Sequence, residues 1–246
     1  MAENFKTDET LATRLNDKLT AVRKPLLAAL AAVIIALVVL VVAILVSEQS
    51  TKKGLAHIDA IYFSLTSKEY GSEAVATSAD GEETTVEDQY LSNTKSLAEA
   101  ESISLEALIP YAAKGGIVGV RANLLMAELY FEQKDFEKAR AAWLKAATAK
   151  NGAYTAPLAY FNAAVCSENV GDNEQAAQYY KTAADAKDFL LADHALFSLG
   201  RVQEALSDVA AAQEAYEKLC DVHPDTTWAH LAKSRLLSLQ ASGAID

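Results

Sequence analysis

Four histidines, two cysteines and 33 carboxylates are the side chains of this 246-residue chain with the chemistry for catalysis or metal binding. His57, His194, His223 and His230 include no pair one helical turn apart, the spacing that lets two imidazoles share a metal, and there is no HExxH sequence. His223 and His230 are separated by Pro224, so they do not share a rigid face. Cys166 and Cys220 stand alone, without a ligand at zinc spacing, and read as two packed thiols rather than a disulfide framework. Neither GxxxxGK[ST] nor GxGxxG occurs, so a phosphate has no glycine-rich cradle. The carboxylates fall on amphipathic patterns, where a run of charge is ordinarily a solvated face. The expectation is a non-enzymatic protein with no metal and no cofactor.

The elements that must position these residues follow from composition. Apolar residues make up 51% of the chain but aromatics only 8%, with Gly 10 and Pro 4, so Ala, Leu and Val dominate and little interrupts a helix. The expected fold class is all-α. The net charge of −11 is uneven: residues 1–24 carry five basic and four acidic side chains, and 17 basic against 29 acidic lie beyond residue 46. So acidic a region lacks the basic stripe that nucleic acid requires.

From Leu26 to Val46 the chain reads LLAALAAVIIALVVLVVAILV, long enough to cross a hydrocarbon core. A cleaved signal peptide would have a shorter apolar stretch and a small-x-small exit, which LVSEQSTKK matches poorly. A retained, single-pass membrane helix is expected over 25–46. Lys18, Arg23 and Lys24 precede it and Lys52 and Lys53 follow, the latter partly offset by Glu48; this modest bias places tail 1–24 in the cytoplasm and the rest across the membrane. In a diderm bacterium that is an inner-membrane protein with a periplasmic domain; a domain facing the cytoplasm is the alternative.

Beyond the span, Leu55, Ile58, Ile61, Tyr62 and Leu65 predict an amphipathic helix over 48–70. The small, acidic stretch 71–86 predicts a loop. Leu91, Leu97, Ile103, Leu105, Leu108 and Ile109 predict helix over 87–113, with a kink or break at Pro110. Together, 47–118 form a juxtamembrane region. From 119 the chain resembles itself: Ala127, Ala164 and Gly200 stand 37 and 36 residues apart, and Ala139, Ala176 and Ala212 follow in register. So do Trp143, Tyr180 and Tyr216, then Ala146, Ala183 and Leu219, with the turn-prone pairs Lys134-Asp135, Gly171-Asp172 and Ser207-Asp208 between helices. The small residues allow close helix approach and the aromatics fill the space to the next unit.

These positions resemble the tetratricopeptide repeat, most clearly in the third unit, where Leu199-Gly200, Ala212, Tyr216 and Pro224 match its signature. In the first unit Asn151 replaces the final proline, and in the second Ser167 stands where an aromatic is usual. The resemblance implies an α-solenoid of helical hairpins over 119–246, with repeats at about 120–153, 157–190 and 193–226 and a capping helix at 228–239.

It also implies that the first helices of the hairpins line a protein-binding groove. The positions carried over are Arg121, Leu124, Glu128, Phe131 and Glu132; Leu158, Phe161, Val165, Glu168 and Asn169; and His194, Phe197, Arg201 and Glu204. Leu124 and Phe161 depart from the cationic clamp by which some family members hold a terminal carboxylate. Phe131, Phe161 and Phe197 amid mixed charge suit an apolar or amphipathic segment instead, unless helices over 87–113 cover them. The layout is similar to membrane-anchored repeat proteins of the ancillary SecYEG translocon subunit type, which implies translocon or periplasmic-chaperone partners. A structural or ligand-carrying subunit of an envelope transport or outer-membrane assembly complex is the alternative.

Overall fold

The computed structural model describes residues 3–69, 97–149 and 154–245; within its first helix, side chains are described at Arg23 and over 27–66. The expected loop 71–86, Leu91 and Asn151 lie outside the described residues. Nine helices and no strands occur among those described: α1 (Glu3–Glu69), α2 (Leu97–Ala112), α3 (Gly116–Glu132), α4 (Phe136–Thr148), α5 (Ala156–Asn169), α6 (Asn173–Ala184), α7 (Ala192–Ala205), α8 (Val209–Val222) and α9 (Thr227–Ala241). The protein is all-α, and the chain divides into two units, residues 1–53 and 54–246.

In the first unit, α1 is long and apolar enough to span a membrane. Every large apolar side chain from Leu27 to Val46 identified on its surface is more than half exposed.

In the second unit, four hydrophobic clusters follow one another along the sequence. Ile58 and Leu65 of α1 pack with Leu105 and Leu108 of α2 and with Val118, Leu125 and Leu129 of α3. Ala127, Trp143, Ala159 and Cys166 join α3, α4 and α5; Phe161, Tyr180, Ala195 and Val202 join α5, α6 and α7; Leu196, Tyr216, Leu219 and Ala229 join α7, α8 and α9. Each hairpin thus buries its apolar face only because the next covers it, the arrangement that makes a stack cooperative with its neighbours. Each fully buried tyrosine of the series contributes about 1.5–3 kcal/mol by area alone.

The hairpin turns repeat as well. Lys134, Gly171 and Ser207 adopt φ of 60°, 80° and 62°. The residue after each, Asp135, Asp172 and Asp208, accepts a hydrogen bond from the backbone N–H of Lys138, Gln175 and Ala211, capping α4, α6 and α8. In α2 the helix runs through Pro110 to Ala112 without the expected break. Pro110 lies in its last turn, where little helix remains to be disrupted. Asn123 ties α3 to α2 by donating to the carbonyl of Ala112 at 3.0 Å, and it also donates to the carbonyl of Gly119 in its own helix at 2.7 Å.

Candidate protein-binding face

The residues expected to form a groove all lie on the first helices of the hairpins, α3, α5 and α7, but they do different things. Phe161 is buried. Its ring meets Tyr180 at 5.4 Å, Phe189 at 6.4 Å and His194 at 4.9 Å, so its own and the following hairpin enclose it. Phe197 is half-buried against Tyr216 and Trp228. His194 stacks on Trp228 at 3.9 Å with ring planes 7° apart. Burial lowers the His194 imidazole below its usual value; Asp193 opposes that shift and Arg201 adds to it.

Glu168, Arg201 and Glu204 belong to a bonded series. The Tyr180 hydroxyl donates to Glu168 Oε2 at 2.6 Å, and Arg201 Nη2 reaches the two oxygens of that carboxylate at 2.6 and 2.7 Å. One hairpin later the Tyr216 hydroxyl donates to Glu204 Oε1 at 2.6 Å, and Arg235 of α9 donates to both oxygens of Glu204 through Nε and Nη2. Burial, then the hydrogen bond to a carboxylate, raises both tyrosine hydroxyls far above their usual range. These pairs staple a hairpin to the next element as charge-assisted hydrogen bonds.

The remaining expected residues are accessible. Phe131 is 38% and Leu158 42% exposed; Arg121, Glu128, Glu132 and Asn169 are exposed, and Leu124 and Val165 half-buried. Phe131 touches Phe136 edge to face at 5.4 Å. Arg121 Nη2 is 2.8 Å from Asp59 Oδ1, across from α1. Between these helices a cleft of about 220 Å³ is lined by Tyr62, Arg121, Leu124, Leu125 and Glu128. Sequence reasoning placed Tyr180 and Tyr216 between units but missed their hydroxyl bonds to Glu168 and Glu204, and it missed the contacts of Trp228 and Arg235. The signal for the tyrosines was present: Glu168–Tyr180 and Glu204–Tyr216 share a 12-residue spacing that places them across one hairpin.

No group of three or more His, Cys, Asp or Glu side chains placed to hold a metal occurs among the described residues. Cys166 is buried and Cys220 half-buried, both as free thiols; burial pushes the Cys166 thiol up to about 11, with Arg140 opposing, which leaves it a poor nucleophile.

A stack of helical hairpins with small residues at the crossings, aromatics between units and an open first-helix face defines a repeat scaffold. Models of the tetratricopeptide repeat match residues 120–151, 158–188 and 194–226. A TPR repeat-containing protein of Treponema pallidum (strain Nichols) is 36% identical over 166 residues, 68% of this chain and 69% of the relative. The chain belongs to the tetratricopeptide repeat family. No solved structure matches it. Repeats of this family generally mediate binding to other proteins and are typically non-enzymatic scaffolds.

Proposed function

We propose that this protein is a single-pass, membrane-anchored adaptor that recruits other proteins beside a bacterial inner membrane, with tail 1–24 cytoplasmic, a span at 25–46, a juxtamembrane region at 47–118 and the repeats at 119–246 in the periplasm. The observation that carries the reading is the first-helix face of α3 and α5, where Phe131 and Leu158 stay accessible while equivalent parts of the later hairpins are occupied internally. The exposed apolar length of α1 supports the anchor, and the basic residues before it support the orientation. The similarity in layout to ancillary translocon subunits makes envelope or translocon components the partners to look for.

Photocrosslinking in cells from positions 131 and 158 tests the adaptor, and protease accessibility in spheroplasts tests the topology. Defined partner adducts that disappear with Phe131→Glu and Leu158→Glu are expected. Adducts unchanged by both substitutions would remove the face from the reading. Phe161→Glu is unsuitable, because a charge there enters the core and tests folding instead.

A further inference from the structure

On the first-helix face, Glu168 and Glu204 each hold an arginine supplied by the next element. Glu128, on α3, has no such match. It accepts no hydrogen bond from the described residues and lines the cleft between α3 and the part of α1 around Tyr62. The nearby cation, Arg121, spends its guanidinium on Asp59 at 2.8 Å. Glu132 adds a like charge one helical turn away. Desolvation, then that repulsion, raises the Glu128 carboxyl above its usual value, with Arg121 offsetting part of the shift. The cleft therefore lacks one positive charge, and the Tyr62 ring and Leu124 give it an apolar wall for an alkyl stem. Phe131, three residues further along α3, extends the apolar surface.

We propose that this cleft docks a basic amphipathic segment of a partner protein. A Lys or Arg of the segment lays its stem against Tyr62 and Leu124 and sets its charged head on Glu128, and the segment's apolar residues rest on Phe131. The proposal rests on the adaptor reading and supplies the chemistry of what is bound. Glu128 is one turn away from the register position of Glu168 and Glu204, which Phe131 occupies in this hairpin, so the cleft is a separate place on the same face and its cation comes from another molecule.

The test uses the full chain in zwitterionic nanodiscs with a photoreactive residue at position 158, and a fluorescent 14-residue peptide of amphipathic Leu/Lys pattern as probe. A Leu/Glu peptide of the same pattern is the control. Adduct with the Leu/Lys peptide is expected in excess of adduct with Leu/Glu, half-saturation should move up about tenfold in Glu128→Gln, and Glu128→Lys should reverse the preference. Glu214→Gln, an exposed carboxylate of α8, should leave both peptides unchanged. Equal capture of the two peptides, no shift in Glu128→Gln, or an equal shift in Glu214→Gln would overturn the proposal. Cellular adducts from position 158 that survive Glu128→Gln would also sink the docking site while leaving the adaptor intact, whereas a wild-type chain with no cellular adducts would remove the adaptor itself.

Discussion

The junction between the first and second hairpins and the junction between the second and third have the same backbone plan and opposite chemistry. At the second junction, Tyr180, Glu168 and Arg201 run from one hairpin into the next, and Lys218 reaches Asp185 at 2.7 Å. At the first, the corresponding places hold Trp143, Phe131 and Val165. The indole nitrogen of Trp143 is buried without a hydrogen-bond partner among the described residues; Phe131, an aromatic with no acceptor, stands where Glu168 stands in the next hairpin. What clasps this junction is Arg140 of α4, whose Nη1 reaches Asp172 at 2.9 Å and Ser167 at 3.4 Å. The first-helix face is thus filled from within by an ion pair at the second junction and stays accessible at Phe131 in the first hairpin.

The largest expected break in that comparison comes at Glu204, whose side chain is only 15% exposed and serves Tyr216 and Arg235 together. Glu204→Ala leaves a buried hydroxyl and a guanidinium unmatched and should cost about 2–3 kcal/mol. Phe131→Ala, at the equivalent place of the first hairpin, removes a side chain already 38% exposed and should cost less than about 1 kcal/mol. Denaturant unfolding of the two variants, followed by circular dichroism, checks the order. Acid should separate the ends further. Burial pushes the Glu204 carboxyl up, but Arg235 and then Tyr216 outweigh it and hold the group below its ordinary 4.5. A carboxyl lowered by folding stabilises above its unfolded value and loses that contribution as pH falls through its folded one. Glu128 is raised, so its contribution is complete below the unfolded value and is lost as pH rises through the folded one. Glu204→Gln should thus be less stable than wild type at pH 7 and converge with it in acid, while Glu128→Gln should be at least as stable at pH 7 and lose that advantage in acid. Midpoints measured from pH 7 down to pH 3 would contradict the comparison if both variants moved in the same direction.

A smaller effect sharpens the first junction. Asp172 caps α6 and also receives Arg140, whereas Asp208 caps α8 without a partner from the preceding hairpin. Asp208→Ala should cost about 1 kcal/mol, the usual loss of a cap, and Asp172→Ala about 0.5 kcal/mol more, since Arg140 and Asp172 keep some solvent contact. Equal costs for the two alanines, measured by the same unfolding experiment, would show that Arg140 does not join the hairpins.

Much of this contrast was legible in the sequence as register and little of it as bonding. The recurrence of Ala127, Ala164 and Gly200 placed the hairpins, because a repeat that stacks must keep small residues at its crossings. At Gly200 the reason is direct: a Cβ there would lie 2.4 Å from Cε1 of Tyr216. The groove was harder to read. A first helix packs on its own hairpin and on the next, so its period cannot separate Phe161, which is core, from Leu158, which is exposed. Likewise Glu168, Arg201 and Glu204 read as surface charges until the stack brings residues 31 to 33 positions apart into contact.

The finest expected difference lies in the turns. Each first helix ends with the N–H of Asp135, Asp172 or Asp208 bonded back to the carbonyl of Tyr130, Ser167 or Gln203, at 2.8–2.9 Å, which forces the residue before the aspartate into left-handed geometry. Only the second hairpin places glycine there. Lys134 and Ser207 are exposed and bear the steric cost of a Cβ in that conformation, roughly 1–2 kcal/mol, offset in part because glycine loses more entropy on folding. Lys134→Gly and Ser207→Gly should each raise stability by about 0.5–1 kcal/mol, and Gly171→Ala should lower it by a similar amount. A Cβ at Gly171 meets no atom within 4 Å, so a loss there reports backbone strain alone. Unchanged unfolding midpoints in all three variants would mean that the turns relax, and the equivalence of the three hairpins would then rest on their aspartate caps rather than on the shape of the turn.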